Sequence, residues 1–367
     1  PDDACEVVCL GKSAGLYMPL PPGPDRGFLV RELFRQALLI SARDELGLVT
    51  RDAWLGDAIP SDGLIRPFDL ATWPGPAPQL EVLRGFPSSV KAIDAADLPS
   101  ITSPDHYLKR LWVDAEKLSR TRLVEILQKT LGPRQPPPWN PDLAPPDTIE
   151  DSLREMSFLA QFGAARQIHD VMATQGQSPA LLGALPRAYA DLGILTEFHW
   201  HPAHKVFKAR AILYAQRWLA REPDSLPAKW HRAYALALVG DHAEALDDLE
   251  SAQKAWEAMA GKQRPPCPTW VALLDAYYRY DIDKLAAELD DRQHGQLAAL
   301  LHYHAVEMAG NQRWPLQAAA TTLEKIPECY RVHDGVCNFG GVSVGHVATL
   351  APGQVLARTL YDHVQHM

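Results

Sequence analysis

Between Pro133 and Pro146, seven of fourteen residues are proline. Proline has no N–H to donate and its ring clashes with the preceding helical turn, so this stretch cannot continue a helix and tends to extended polyproline geometry. It therefore divides the chain. Residues 1–132 are expected to form one domain, 133–147 a linker, 148–330 a second domain, and 331–367 a Gly-rich segment and tail. A length of 367 residues points the same way, to two or three domains.

The first domain reads as irregular and mainly helical. One helix is expected from Gly27 to Leu46, with Val30, Leu33, Phe34, Ala37 and Leu38 on a single face. Gly47 stands just past its end, where a left-handed cap favours glycine. A second helix is expected to start at Ser103-Pro104-Asp105, a Ser cap followed by Pro at the first helical position. Its apolar stripe is Leu108, Leu111, Trp112, Ala115, Leu123, Ile126 and Leu127, and Gly132-Pro133 stops it. Between the two helices, Trp73-Pro74-Gly75-Pro76-Ala77-Pro78 shows no periodicity.

The second half is rich in Ala and Leu and divides into helix pairs. The segment from Ala228 to Leu246 carries Ala233 where two helices would nest and Gly240-Asp241 at a turn, then Ala245, Leu249 and Ala252 on the next helix. This pattern resembles the tetratricopeptide repeat, a helix–turn–helix unit of 34 residues. Leu181 to Gly193 reads as another first helix ending in Gly, and Tyr280-Asp281-Ile282-Asp283-Lys284-Leu285 as another turn and second-helix start. Pro223, Gly310 and Pro327 fall at turn or terminator positions. The resemblance covers about residues 150–330. It implies a mainly α fold: an irregular alpha-alpha superhelix preceded by a smaller, less regular N-terminal domain. The Gly27–Asp57 and Arg187–Arg217 segments together are also similar to a bacterial repeat family.

Gly193 and Gly240 are 47 residues apart, 13 more than one repeat. The excess is expected between two helices, over Thr196 to Lys208, and repeat insertions gather on one face, often the binding face. It holds the densest histidine cluster in the chain: His199, His201 and His204, interleaved with Phe198 and Trp200 and followed by Lys205. Two readings stay open. In one, Phe198, Trp200 and Lys205 dock or recognise a partner. In the other, the three imidazoles hold a divalent transition metal, since neutral imidazole suits zinc, copper, nickel or iron. The spacing H-x-H-x-x-H resembles the metal motif of metallo-beta-lactamase-type hydrolases, with Ala203 where that motif places Asp.

Other motifs dissolve on inspection. Gly341-Val342-Ser343-Val344-Gly345 matches a nucleophile elbow, but no alternating strand–helix pattern precedes it, so it reads as a Gly-rich loop. Gly11-Lys12-Ser13 lacks the earlier Gly of a phosphate loop and has Glu6 there, a carboxylate that repels phosphate. Cys329, His333 and Cys337, like Cys5 and Cys9, suit packing or a disulfide better than metal. His302, His304 and His231 lie on helical segments, where each inward imidazole is expected to have an outward neighbour.

Thirty-six basic against 45 acidic residues give a net charge of −9, without the basic footprint that nucleic-acid binding needs. No apolar run reaches the roughly 18–20 residues of a membrane span. The expected function is a non-catalytic scaffold binding a peptide or protein on a helical-repeat surface. The alternative is a metal-binding protein or metal-dependent hydrolase at the His199–His204 loop. A third is a structural role in assembly with further chain or subunits, because the C-terminus reads as a helix cut short. Pro1 reads as a processed start, which leaves an exported or periplasmic and a cytoplasmic location equally open.

Overall fold

The computed structural model describes residues 6–9, 33, 36–47, 50–52, 65–67, 69–73, 79–83, 107–131, 133, 135–196, 203–259, 264–309, 338–339 and 342–343. These are mainly helical. The chain divides into two compact units, Pro1–Leu143 with Val171–Ser178, and Ala144–Asp170 with Pro179–Met367. The division falls inside the proline-rich stretch, but eight residues from further along the chain also belong to the first unit.

In the first unit, β1 (Glu6–Cys9) lies between two parallel neighbours, β2 (Thr50–Asp52) and β3 (Ile65–Pro67). Val7 is in register with Thr50 on one side and Arg66 on the other. A separate antiparallel pair joins β4 (Asp69–Trp73) to β5 (Gln79–Leu83), with Ala71 opposite Glu81. Strands of three to five residues are too short to show the alternation on which sequence reading depends.

Residues 36–40 are helical and almost wholly buried, and the helix widens into a π-helical turn over Ser41–Glu45. Gly47 then closes it at φ +63°, its N–H donating to the Arg43 carbonyl at 3.0 Å. The long helix expected up to residue 131 is instead two, α1 (Tyr107–Arg120) and α2 (Arg122–Leu131). The break has a side-chain cause. Ser119 Oγ donates to the Glu116 carbonyl at 2.6 Å and Thr121 Oγ1 to the Lys117 carbonyl at 2.9 Å, drawing acceptors away from the backbone ladder. The prolines are pinned rather than loose. Asn140 N–H donates to the Gln177 carbonyl and Gln177 N–H to the Pro138 carbonyl, both at 2.8 Å. At Gly176, φ +103°, a β-carbon would lie 2.2 Å from the Pro138 oxygen, so only glycine fits.

The second unit is built from consecutive helices: α3 (Asp147–Arg154), α4 (Phe158–Gln175, which runs across the division), α5 (Pro179–Leu195), α6 (Ala203–Arg221), α7 (Leu226–Val239), α8 (His242–Ala258), α9 (Thr269–Tyr278), α10 (Ile282–Ala287) and α11 (Gly295–Ala309). Neighbours pair: α5 with α6, α7 with α8, α9 with α10. The odd-numbered helices also touch in series, α3 to α5 to α7 to α9 to α11. Close nesting depends on small residues, and Ala188, Ala190, Ala211, Ala215, Ala233 and Ala235 are all fully buried. Around Ala233 the fit is specific, because Tyr278 Oη donates to its carbonyl at 2.7 Å.

The turn at Gly240 forms as its sequence predicts. Gly240, φ +94°, donates to the Ala237 carbonyl and Asp241 N–H to the Leu236 carbonyl, which is the Schellman arrangement that satisfies a helix end. Gly193 differs from its expected role. It does not end α5, which continues to Leu195; it lets α6 approach, since a β-carbon there would lie 2.7 Å from Lys208 Cγ. Of the Gly341–Gly345 motif only Val342–Ser343 is described, a short strand paired antiparallel with Asn338–Phe339; Gly341, Val344 and Gly345 fall outside the described residues. Among the described residues no helix is long and apolar enough to cross a membrane.

Candidate functional site

Helix α5 is buried on every side from Leu181 to Leu195, yet it carries two charged residues four apart, Arg187 and Asp191. A charge in such a helix must be paired or neutralised. Asp191 is fully buried and accepts a hydrogen bond from Tyr234 Oη at 2.6 Å through Oδ1, while its Oδ2 is buried without a hydrogen-bond partner. Burial pushes the Asp191 carboxyl up to about 7, against the smaller opposing pulls of the Tyr234 hydrogen bond and the Arg187 charge. The Tyr234 hydroxyl is raised well above its ordinary value, first by burial and then by the Asp191 charge.

One turn back, Arg187 reaches a cleft of about 420 Å³ in the second unit. The side chain is 9% exposed, and its Nη1 lies 3.2 Å from both carboxylate oxygens of Glu150 on α3. Its guanidinium carbon is 5.9 Å from the Trp270 ring centre, within cation–π range. The wall of the cleft is an aromatic strip. His231 stands between Trp218, at 5.2 Å between ring centres, and Trp270, at 5.1 Å. The floor is small, Gly183 and Ala184, with Ala180 at the exposed edge. Gly183 is required there, since a β-carbon would lie 2.7 Å from Trp218 Cζ3 and 3.1 Å from His231 Nε2.

His231 has a defined tautomer. Its Nδ1 is 2.7 Å from the Pro227 carbonyl oxygen, which only accepts, so Nδ1 carries the proton. Burial, reinforced by the Arg187 charge, lowers its pKa to about 3 against the opposing Pro227 hydrogen bond, so the ring is neutral at pH 7. Nε2 is then a lone-pair acceptor over Gly183. His294, at the approach to α11, is also held below its ordinary value, chiefly by burial and then by Arg187. The cleft thus joins two guanidiniums, Arg187 and Arg154, with one carboxylate, two imidazoles and two indoles.

Of the residues singled out in the sequence as a metal or partner site, none of those described lines the cleft. Phe198, His199, Trp200 and His201 fall outside the described residues. His204 and Lys205 lie in the first turn of α6, so part of the expected insertion is helix. Lys205 is lowered to about 8 by burial and the neighbouring Lys208 charge. Among the described residues no group of three or more His, Cys, Asp or Glu side chains is placed to hold a metal ion. Cys5, Cys329, His333 and Cys337 also fall outside the described residues. The expectation that neighbouring histidines on α11 face opposite ways is corrected. His302, Tyr303 and His304 are all buried, because this part of the helix is covered all round.

Sequence reading missed Arg187, Glu150, Trp218, Trp270 and His294, because five different helices and one helix approach bring the cleft together. One signal was present: Arg187 and Asp191 interrupt an otherwise apolar helix, a pattern that marks a buried polar task. Compared with protein-family models, curated proteins and solved structures, the chain matches none.

Proposed function

We propose that the second unit is a non-catalytic interaction scaffold, an irregular tetratricopeptide-like superhelix that binds a peptide or protein partner at the Arg187–Trp270 cleft. One observation carries this reading. The cleft draws its lining mainly from α3, α5, α7 and α9, the helices that touch in series. In stacked helix pairs such a series lines the concave side, where extended partners lie. Small floor residues and aromatic walls suit an inserted side chain, and a few fixed polar groups supply orientation.

The test blocks the mouth of the cleft without disturbing the core. Ala180 is exposed at its edge, so Ala180→Trp adds bulk where there is room for the protein to stay folded. Peptides selected from a displayed random library on the full chain are titrated against wild type and this variant. At least tenfold weaker binding to A180W is expected. Selection of no peptide above background, or equal affinity for both proteins, rejects the reading.

A further inference from the structure

Two arginines of the second unit hold carboxylates in different ways. Arg232 uses its side-on fork: Nε and Nη2 donate to the two oxygens of Asp248, both at 2.6 Å. This two-point grip is the strong geometry for a planar oxyanion. Arg187 uses only Nη1, which is shared between the Glu150 oxygens at 3.2 Å. Its Nε and Nη2 make no hydrogen bond, and neither is sealed from solvent. The side chain is nonetheless nine-tenths buried and lines the cleft. It is a largely buried fork, open on the cleft side, with no side-chain or backbone acceptor for Nε or Nη2 among the described residues.

We infer that the open fork of Arg187 is an oxyanion site, taking a carboxylate or phosphoryl group from the bound partner. This rests on the cleft being the partner site proposed above. Burial makes the fork selective, since a desolvated guanidinium gains most from an ionised acceptor and is costly to leave unpaired. The Trp270 ring, 5.9 Å from the guanidinium carbon, adds a cation–π contact on one side. Glu150 is the opposing group. It is 42% exposed against 9% for Arg187, so it is the partner free to swing into water. Arg154, ion-paired with Asp151 at 3.0 Å on the rim, adds positive charge, while Asp291 adds negative charge beside His294.

The experiment is calorimetric titration of the full chain with inorganic phosphate and, separately, with acetate, for wild type, Arg187→Lys and Glu150→Gln. Arg187→Lys keeps the charge and removes the fork, so at least tenfold weaker binding is expected. Glu150→Gln removes the competing carboxylate and should tighten binding about threefold or more. The second variant is half-exposed and serves if the first does not fold. Tighter phosphate than acetate binding assigns a phosphoryl group, and the reverse a carboxylate. The inference is overturned if wild type binds neither anion, if R187K binds as wild type does, or if E150Q binds no more tightly. The two claims fail separately. Peptides that bind wild type but not A180W, with anion binding absent, leave the scaffold standing without its oxyanion site. Anion binding with no peptide selected leaves the site without the scaffold.

Discussion

Tyr280 closes α9 with the same backbone bonds by which Gly240 closes α7. Tyr280 N–H donates to the Tyr277 carbonyl and Asp281 N–H to the Ala276 carbonyl, matching the Gly240–Ala237 and Asp241–Leu236 pair. Both residues sit in the left-handed region, Gly240 at φ +94° and Tyr280 at φ +53°. Glycine adopts that conformation freely, whereas a residue with a β-carbon loses about 1–2 kcal/mol. Tyr280→Gly is therefore expected to raise stability by about 0.5–1 kcal/mol, allowing for glycine's looser unfolded chain. No atom lies within 4 Å of a β-carbon built at Gly240, so Gly240→Ala should lose about 1 kcal/mol from the backbone alone. Denaturant unfolding of both variants checks this. Opposite signs are required, and a destabilised Y280G means the ring's packing near His242 outweighs the strain.

These two turns also mark how far the sequence is legible. Gly240 announces its turn because glycine is the usual residue there. Tyr280 announces nothing by itself, and that turn is legible only through Asp281, whose Oδ1 accepts from Lys284 N–H to start α10. Helices with strong caps and periodic apolar faces are readable, as Gly47 and Ala233 illustrate. The break at Thr121 is not, since hydroxyl bonds to nearby carbonyls leave the hydrophobic period intact. The cleft is hidden for a different reason: Glu150, Arg187, His231 and Trp270 are far apart along the chain, and only packing of α3, α5, α7 and α9 makes them neighbours.

Asp191 gives the protein a pH-dependent stability of predictable sign. The carboxyl has an ordinary value of 3.8 and a folded value of about 7, so the folded state keeps its proton while the unfolded chain loses it. Below 3.8 both states are protonated and no penalty exists. As pH rises from 4 to 7 the protein loses up to about 1.4 kcal/mol per pH unit from this group, and above 7 the loss levels off. Asp191→Asn keeps an acceptor for Tyr234 and cannot ionise. The variant should match wild type near pH 4 and exceed it in stability at pH 8, by urea unfolding across that range. Parallel curves for the two proteins would show that Asp191 is ionised in the fold.

Two helical glycines should respond unequally to alanine. At Gly193 the new β-carbon meets Lys208 Cγ, on a single side chain whose far end can adjust, at 2.7 Å. Alanine's helix preference of roughly 1 kcal/mol over glycine offsets part of that contact, so G193A is expected to be mildly destabilising, by less than G183A. At Gly183 the β-carbon meets the Trp218 ring and the His231 ring, which pack against each other at 5.2 Å between centres and 53° between planes, so neither swings aside alone. Overpacking of this kind loses about 1–3 kcal/mol, more than the helix preference returns. Thermal unfolding of both variants is the check, and equal melting temperatures would contradict the rigid strip.

The Arg232–Asp248 pair is the counterpart of the open fork at Arg187, and its removal tests the buried network directly. Arg232 is 14% exposed and Asp248 8% exposed, and Arg232 Nη1 also donates to Gln216 Oε1 at 2.9 Å. Removing one partner leaves the other charge buried and unmatched, which loses about 3 kcal/mol or more; removing both leaves no such charge. Arg232→Met alone and Asp248→Leu alone are each expected to be strongly destabilising. The double variant should recover most of the loss, because both side chains then suit an apolar site. A double-mutant cycle by denaturant unfolding decides it. Additive losses would mean that α7 and α8 are held by their buried Ala and Leu residues and that the ion pair contributes no coupling between them.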